Sequence, residues 1–155
     1  MNWIKFFISI ALCQLAGVVG SVFTMSAIPT WYATLKKPFF SPPNWLFGPA
    51  WITLYALMGV SFYRIWRLGW SNTQVKTAMI VFLIQLALNA VWSIIFFGLK
   101  NPGLAFAEIV ILWIFIAVSI YLFYRLDKTA AYLLVPYLLW VSFASVLNFS
   151  IWKLN

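Results

Sequence analysis

The sequence predicts an all-α membrane protein, a single domain of residues 1–155 built from five transmembrane helices. The composition is one reason, because 65% of the residues are hydrophobic and 8% are charged, whereas soluble domains are about half apolar and about a quarter charged. A second reason is the presence of five apolar runs of 19 to 24 residues, since about 20 helical residues cross the hydrocarbon core. Barrel strands would be about half as long and would alternate in polarity.

The predicted helices are joined by connections of unequal length. The loops at 100–102 and 125–128 are very short, so helices 3, 4 and 5 must be antiparallel neighbours. The connection near 64–76 is polar, and no internal repeat is visible, which weakens the case for repeat-built transporter folds. The predicted helices span residues of about 6–28, 45–63, 77–99, 103–124 and 129–152.

The connection between helices 1 and 2, residues 29–44, is long and stiff. It belongs to the stretch WYATLKKPFFSPPNWLFGPAW, and Pro29, Pro38, Pro42 and Pro43 restrict its backbone. A merely flexible linker would be rich in Gly and Ser. We therefore predict that this loop is a lid over a binding pocket for a flat, apolar ligand.

The charge pattern is typical of a protein anchored among lipid headgroups. Ten Lys and Arg oppose only Glu108 and Asp127, and basic flanks of this kind are common at membrane surfaces. They are not concentrated on one face, so we predict no nucleic-acid partner. The chain has no His, the commonest metal ligand and general base, and Cys13 is alone. We predict no metal site, no internal disulfide and no required cofactor.

We call the membrane face at the start of helix 1 side A, and the face at loop 29–44 side B. Gln85, Asn89 and Trp92 share one face of helix 3, while Trp140 and Asn148 share one face of helix 5. At a rise of about 1.5 Å per residue, most of these residues lie in the half of the membrane beneath the loop. Polar residues in lipid are expensive and often functional, so the sequence predicts one polar-tipped, aromatic-walled cavity there.

Alternatives remain for each of these residues. Gln85, Asn89 and Asn148 are equally explained as interhelical hydrogen-bonding groups. A tryptophan near a helix end often belongs to the interfacial belt, although Trp140 is too deep for that explanation. Glu108 is expected either to be a buried, neutral, hydrogen-bonded acid or to snorkel to side B. The insertion orientation stays open, because six basic residues on side A face four on side B.

Small residues line predicted helix 1, with small-xxx-small spacings such as Ala16/Gly20 and Gly17/Ser21. Such spacings let two helices approach closely. The sequence does not decide whether this face packs within the bundle or against a second copy of the chain. The residues concerned are Cys13, Ala16, Gly17, Gly20, Ser21 and Thr24.

Three segments resemble the translocator protein family, also called tryptophan-rich sensory proteins or peripheral-type benzodiazepine receptors. They are WYATLKKPFFSPPNWLFGPAW, QLALNAVWSIIFFG and PYLLWVSFASVLNFSIWKLN. The resemblance implies a five-helix bundle whose pocket opens toward loop 29–44, and a homodimer. It also implies binding of porphyrins, with sterols and synthetic isoquinoline or benzodiazepine ligands in some members. Phe149 stands where the family's sterol motif has Tyr, which leaves sterol binding without that support.

The pattern and the resemblance together favour a receptor or sensor-like, multi-pass membrane protein that binds protoporphyrin-type tetrapyrroles, in the bacterial cell membrane. Its predicted partners are a porphyrin or another apolar small molecule, the lipid bilayer and a second copy of the chain. Alternatives are a light- and oxygen-dependent porphyrin-degrading enzyme, in which Trp51 and Trp140 would be the catalytic residues, or a transporter of tetrapyrroles or sterols. The predicted ligand-binding residues are Trp31, Tyr32, Trp51, Tyr55, Gln85, Asn89, Trp92, Trp140, Ala144 and Asn148.

Overall fold

Six α-helices and no strand make up the computed structural model, which describes all of residues 1–155. Five segments are long and apolar enough to cross a membrane, the last being α5 and α6 together, so the predicted all-α, multi-pass membrane fold is confirmed. A short 3-10 turn, Tyr32–Thr34, interrupts the first loop. The helices are α1 (Trp3–Ala27), α2 (Asn44–Trp66), α3 (Thr73–Ser93, continued by a π-helical turn, Ile94–Gly98), α4 (Pro102–Tyr124), α5 (Lys128–Leu133) and α6 (Val135–Leu154).

Side-chain caps determine where four of the helices begin. The capping oxygen in each case accepts a hydrogen bond from a backbone N–H of the first turn, a group that otherwise lacks a partner. Because of its cap, α3 starts at Thr73 rather than near 77; the apolar run marks the hydrocarbon layer, not the helix start. The caps are Asn2, Asn72, Asn101 and Asp127.

The helices form a closed ring around the core. Helix α1 packs against both α2 and α3, α3 packs against α4, and α4 packs against α5 and α6. The α2–α5 contact completes the ring. At side A, Arg64 Nε and Nη2 donate to the two carboxylate oxygens of Asp127 at 2.9 and 3.2 Å, which joins the end of α2 to the start of α5.

The predicted fifth helix is broken at Leu134, where Pro136 follows. Pro136 has no N–H to continue the helical ladder, and Leu134 N–H instead bonds the carbonyl three residues back, Ala131 O, at 3.1 Å. Ser61 Oγ of α2 donates to the neighbouring Ala130 carbonyl at 2.7 Å. The break is therefore stabilised from outside the helix, and a new helix, α6, carries the residues that face the pocket described below.

Glycines allow the helices of the ring to approach closely. A Cβ on Gly17 would lie 2.6 Å from the Tyr55 ring, and a Cβ on Gly20 would lie 3.0 Å from Ser93 Oγ. Their face of α1 thus packs against α2 and α3 inside the bundle, one of the two possibilities left by the sequence. At Gly59 of α2 the obstacle is backbone, since a Cβ would lie 2.8 Å from Ile10 Cα.

We predict that Gly59→Ala lowers the thermal unfolding midpoint of the purified protein, with a loss of about 1–3 kcal/mol of stability from overpacking. The matched control is Gly48→Ala, because a Cβ on Gly48 meets nothing within 4 Å, and Ala is the better helix former. Equal midpoints for the two variants would contradict the close α1–α2 contact.

Candidate ligand-binding pocket

A cavity of about 480 Å³ lies between α1, α2, α3 and α6, under the first loop. Of the 25 residues that line it, 16 are hydrophobic. Mostly apolar walls with a few polar groups are typical of small-molecule sites, whose volumes run from about 300 to about 1,000 Å³.

Three tryptophans from three helices form the aromatic walls. Trp51 of α2 stacks on Tyr55 with ring centroids 5.5 Å apart, and meets Trp140 of α6 edge-on at 6.3 Å. Trp92 of α3 stacks on Phe96 at 5.1 Å. Flat aromatic faces and edges therefore surround the cavity on three sides, an arrangement suited to a planar apolar molecule.

The structure brings most of the predicted site residues to this cavity, but not all of them. Trp31 does not line the cavity and instead packs edge-on against Phe96, which does, with ring centroids 5.6 Å apart. Gln85 and Asn89 are buried, with 1% and 4% exposure, and are not among the lining residues. Contact of any of these residues with a ligand stays a prediction. Those that line the cavity are Tyr32, Trp51, Tyr55, Trp92, Trp140, Ala144 and Asn148.

A chain of buried hydrogen bonds lies behind the α2 wall of the cavity. Tyr55 Oη donates to Asn89 Oδ1, Asn89 Nδ2 donates to Tyr137 Oη at 2.8 Å, and Tyr137 Oη donates to Gln85 Oε1 at 2.8 Å. Polar groups within the membrane need such intramolecular partners. The chain joins α2, α3 and α6 and holds the Tyr55 ring against Trp51, so Asn89 and Gln85 position the wall rather than forming it.

Asn148 of α6 holds the opposite wall in place. Its Oδ1 accepts a hydrogen bond from Trp92 Nε1 at 2.9 Å, and its Nδ2 donates to Pro102 O at 2.8 Å. One amide therefore orients the Trp92 indole and ties α3, α4 and α6 together near side B.

The first loop folds over the side-B end of the bundle. Phe40 packs edge-on against Phe143 of α6 at 6.2 Å, and Tyr32 packs against Phe97 of the π-helical turn at 5.9 Å. The backbone of Lys36 exchanges two hydrogen bonds with the Asn155 side chain, at 3.0 and 2.9 Å. These contacts hold the loop on α3 and α6, so that it covers the aqueous end of the cavity.

The loop itself supplies a polar corner at this end of the cavity. Tyr32 lines the cavity with 2% exposure, and its hydroxyl has no hydrogen-bond partner. Burial raises the pKa of the Tyr32 phenol above its ordinary value of 10.0, and the neighbouring Ser41 side chain partly opposes that rise. Lys37 Nζ lies 4.6 Å from the centroid of the Tyr32 ring. The corner thus holds an O–H donor next to Ser41 and a cation over the same ring.

Glu108 is buried and does not reach side B, it does not line the cavity, and the hydrogen bond expected for its buried form is not made. Neither of its carboxylate oxygens has a hydrogen-bond partner. An unpaired carboxylate in a membrane interior is costly, which favours the neutral acid. The structure brings together no group of three or more metal-ligating side chains.

The α1 wall of the cavity was not predicted from the sequence. The sequence feature that could have indicated it is the row of small residues on α1, but only the packed structure shows that this row faces the cavity. The sequence predicted a cavity lined by α2, α3 and α6 under the loop, but the structure shows that α1 also forms one of its walls. Its lining residues are Gln14, Gly17, Val18, Gly20, Ser21, Thr24, Met25 and Ile28.

The chain is similar to known proteins over most or all of its length. A model of the TspO/MBR family matches residues 9–153. The tryptophan-rich protein TspO of Archaeoglobus fulgidus is 47% identical over 156 residues, covering 100% of this chain and 99% of the relative. The tryptophan-rich sensory protein of Cereibacter sphaeroides is 36% identical, covering 100% and 94%. The human translocator protein is 38% identical, covering 88% and 82%.

We predict that Tyr137→Phe destabilises the protein by about 1–3 kcal/mol, because it leaves buried amide groups of Asn89 and Gln85 without their partner. The measurement is the thermal unfolding midpoint in detergent. Tyr132→Phe is the matched control, since Tyr132 is 60% exposed and its variant should unfold like the parent. A Tyr137→Phe midpoint equal to that of the control would mean that the chain of hydrogen bonds contributes nothing to stability.

Proposed function

The chain belongs to the TspO/MBR family, and from that premise we propose that this receptor or sensor-like membrane protein binds porphyrins and similar flat, apolar ligands in the loop-capped cavity. The observation that carries the proposal is the set of aromatic walls, with Trp51, Trp92 and Trp140 facing one space of about 480 Å³. Indole faces stack on planar aromatic rings, and each such contact adds about 0.5–1.5 kcal/mol beyond area burial.

The polar corner supports a ligand with acidic groups along one edge. A porphyrin carboxylate placed under the loop would accept a hydrogen bond from the Tyr32 hydroxyl and face the Lys37 ammonium, both of which stabilise an anion. The lysines at this end of the bundle are Lys36, Lys37, Lys100 and Lys153, and Asp127 lies at the opposite end. Because the chain has no His, a haem would lack its usual axial ligand, so we favour metal-free porphyrins.

The direct contact of Trp51 with Trp140 favours one alternative, a light-dependent enzyme. An excited porphyrin is itself the reactive species, so this chemistry needs no acid–base residues, and an indole beside the ring is an available electron donor. Transport is less well supported, because the cavity lies in the side-B half and α1 and α2 meet closely below it, at Gly59 and Ile10.

We predict that Trp140→Leu weakens protoporphyrin binding in the dark about fivefold, which corresponds to about 1 kcal/mol of lost stacking. Binding is measured by the quenching of tryptophan fluorescence during titration of the purified protein. Trp152→Leu is the matched control, because it removes one indole that does not line the cavity, and it should bind like the parent. Equal affinities of the two variants would place the ligand elsewhere.

Illuminating the protein with bound porphyrin distinguishes a light-dependent enzyme from a protein that only binds the ligand. If indoles donate electrons, the Trp51→Phe, Trp140→Phe double variant should keep much of its dark binding but lose the protein-dependent bleaching of the porphyrin absorption band, since Phe stacks but is a far poorer donor. The same bleaching rate in parent and double variant would remove the indole-donor mechanism.

A further inference from the structure

The wall of the cavity is incomplete on the side that faces lipid. Val18 and Met25 of α1 and Ile52 of α2 line the cavity, yet they are 57%, 73% and 62% exposed. A residue that lines the cavity and is also largely exposed lies at its rim. These three residues belong to adjacent helices, so the cavity reaches the outer surface of the bundle between α1 and α2.

The contacts between the two helices are tight toward side A and absent at Gly48, near side B. At side A they nearly touch, since a Cβ on Gly59 would lie 2.8 Å from Ile10 Cα. Midway, Gln14 Nε2 donates to the Ile52 carbonyl at 3.1 Å and closes the gap. One turn nearer to side B, a Cβ on Gly48 would meet nothing within 4 Å, although Gly48 lines the cavity. The gap between α1 and α2 is therefore open near Gly48, on the side-B side of both the Gln14–Ile52 hydrogen bond and the Gly17–Tyr55 contact.

The opening lies at the depth of the hydrocarbon chains. Helix α2 starts at Asn44, so at about 1.5 Å per residue Gly48 lies roughly 6 Å, and Ile52 roughly 12 Å, below the helix start. Half of the hydrocarbon core is about 15 Å thick, which places the opening within the side-B leaflet. The aqueous end, in contrast, is covered by the loop through the Phe40–Phe143 and Lys36–Asn155 contacts.

We propose that ligands enter and leave the cavity sideways, from the side-B leaflet of the bilayer, through the opening between α1 and α2 while the loop stays closed. This inference rests on the proposed function of the cavity as a site for flat, apolar molecules. Such molecules partition into the bilayer because burial removes their apolar surface from water, so their local concentration is highest where the cavity opens. The partner at this surface is thus a membrane-dissolved, planar amphiphile.

The kinetic test uses protoporphyrin, the protein in lipid nanodiscs, and the Gly48→Leu variant, whose side chain would project into the opening. We expect the association and dissociation rate constants, measured in the dark by stopped-flow tryptophan quenching, to fall together by about tenfold, because a blocked route slows both directions. A lost contact would instead change mainly dissociation. Ser21→Leu, at the opposite edge of the opening, should act in the same direction and replaces Gly48→Leu if that variant does not fold.

Two controls distinguish the routes. Ala11→Leu adds the same kind of bulk to an exposed part of α1 outside the cavity lining and should leave both rate constants unchanged. Asn155→Ala releases the loop from its hydrogen bonds and should also leave them unchanged. Faster exchange in Asn155→Ala, together with parent-like rates in Gly48→Leu, would show entry through the aqueous end and overturn the proposal.

A second measurement needs no porphyrin, so a failure of the proposed function is seen separately. Phospholipids brominated in mid-chain quench tryptophan on contact, and the Trp51 contribution is the difference between the parent and its Trp51→Phe variant. We expect Trp51 to be quenched in the parent and several-fold less in Gly48→Leu. Absence of Trp51 quenching in the parent would overturn the lateral opening, whereas absence of porphyrin binding in the titration would overturn only the proposed ligand.

Discussion

The arrangement of this protein depends on one constraint: a polar group in the hydrocarbon layer must find its partner within the protein. The Tyr55–Asn89–Tyr137–Gln85 chain meets that requirement by joining three helices. Ser61 meets it for a carbonyl at the helix break before Pro136. In each case the hydrogen bond that satisfies a polar group also sets the position of a helix, so the polar residues determine the geometry of the apolar bundle.

A buried polar atom that has no partner within the protein is a candidate contact for a ligand. The buried polar atoms without a partner belong to Tyr32, Gln85 and Glu108. Of these three residues only Tyr32 lines the cavity, and an O–H donor facing a pocket is a natural contact for a ligand oxygen. Gln85 Nε2 and the Glu108 carboxyl lie behind the walls, where a neutral acid costs far less than a charged one. Among the three residues with unpaired polar atoms, Tyr32 is therefore the candidate ligand contact, whereas Gln85 and Glu108 lie inside the bundle.

The two halves of the membrane layer have different roles. Toward side A the helices are close-packed, with glycine at the α1–α2 contact and an Arg64–Asp127 ion pair at the end. Toward side B they separate and leave a cavity that aromatic rings line and the first loop covers. A cavity confined to one half and closed beneath is suited to binding and sensing, because translocation needs access from both faces. The proposed access lies along the membrane plane, where apolar molecules are concentrated.

The sequence by itself determined the number of membrane-spanning segments and their helical class, because the length and composition of an apolar run are dictated by the thickness of the hydrocarbon layer. It also placed Trp51, Trp92, Trp140 and Asn148 in one half of the membrane, since short loops force antiparallel neighbours and residue counts convert to depth. The start of α3 required its Asn72 cap, a local hydrogen bond that hydropathy does not register.

Only the tertiary structure decided which way each helix turns its faces. Asn89 and Trp92 share a helical face in the sequence, yet one lies behind the wall and the other forms it, because rotation about the helix axis follows from packing against all neighbours at once. The small residues of α1 were compatible with a dimer or with internal contacts until Tyr55 and Ser93 were seen against Gly17 and Gly20. The gap at Gly48 likewise depends on the distance between α1 and α2. The sequence of a single helix does not determine its distance from the next helix.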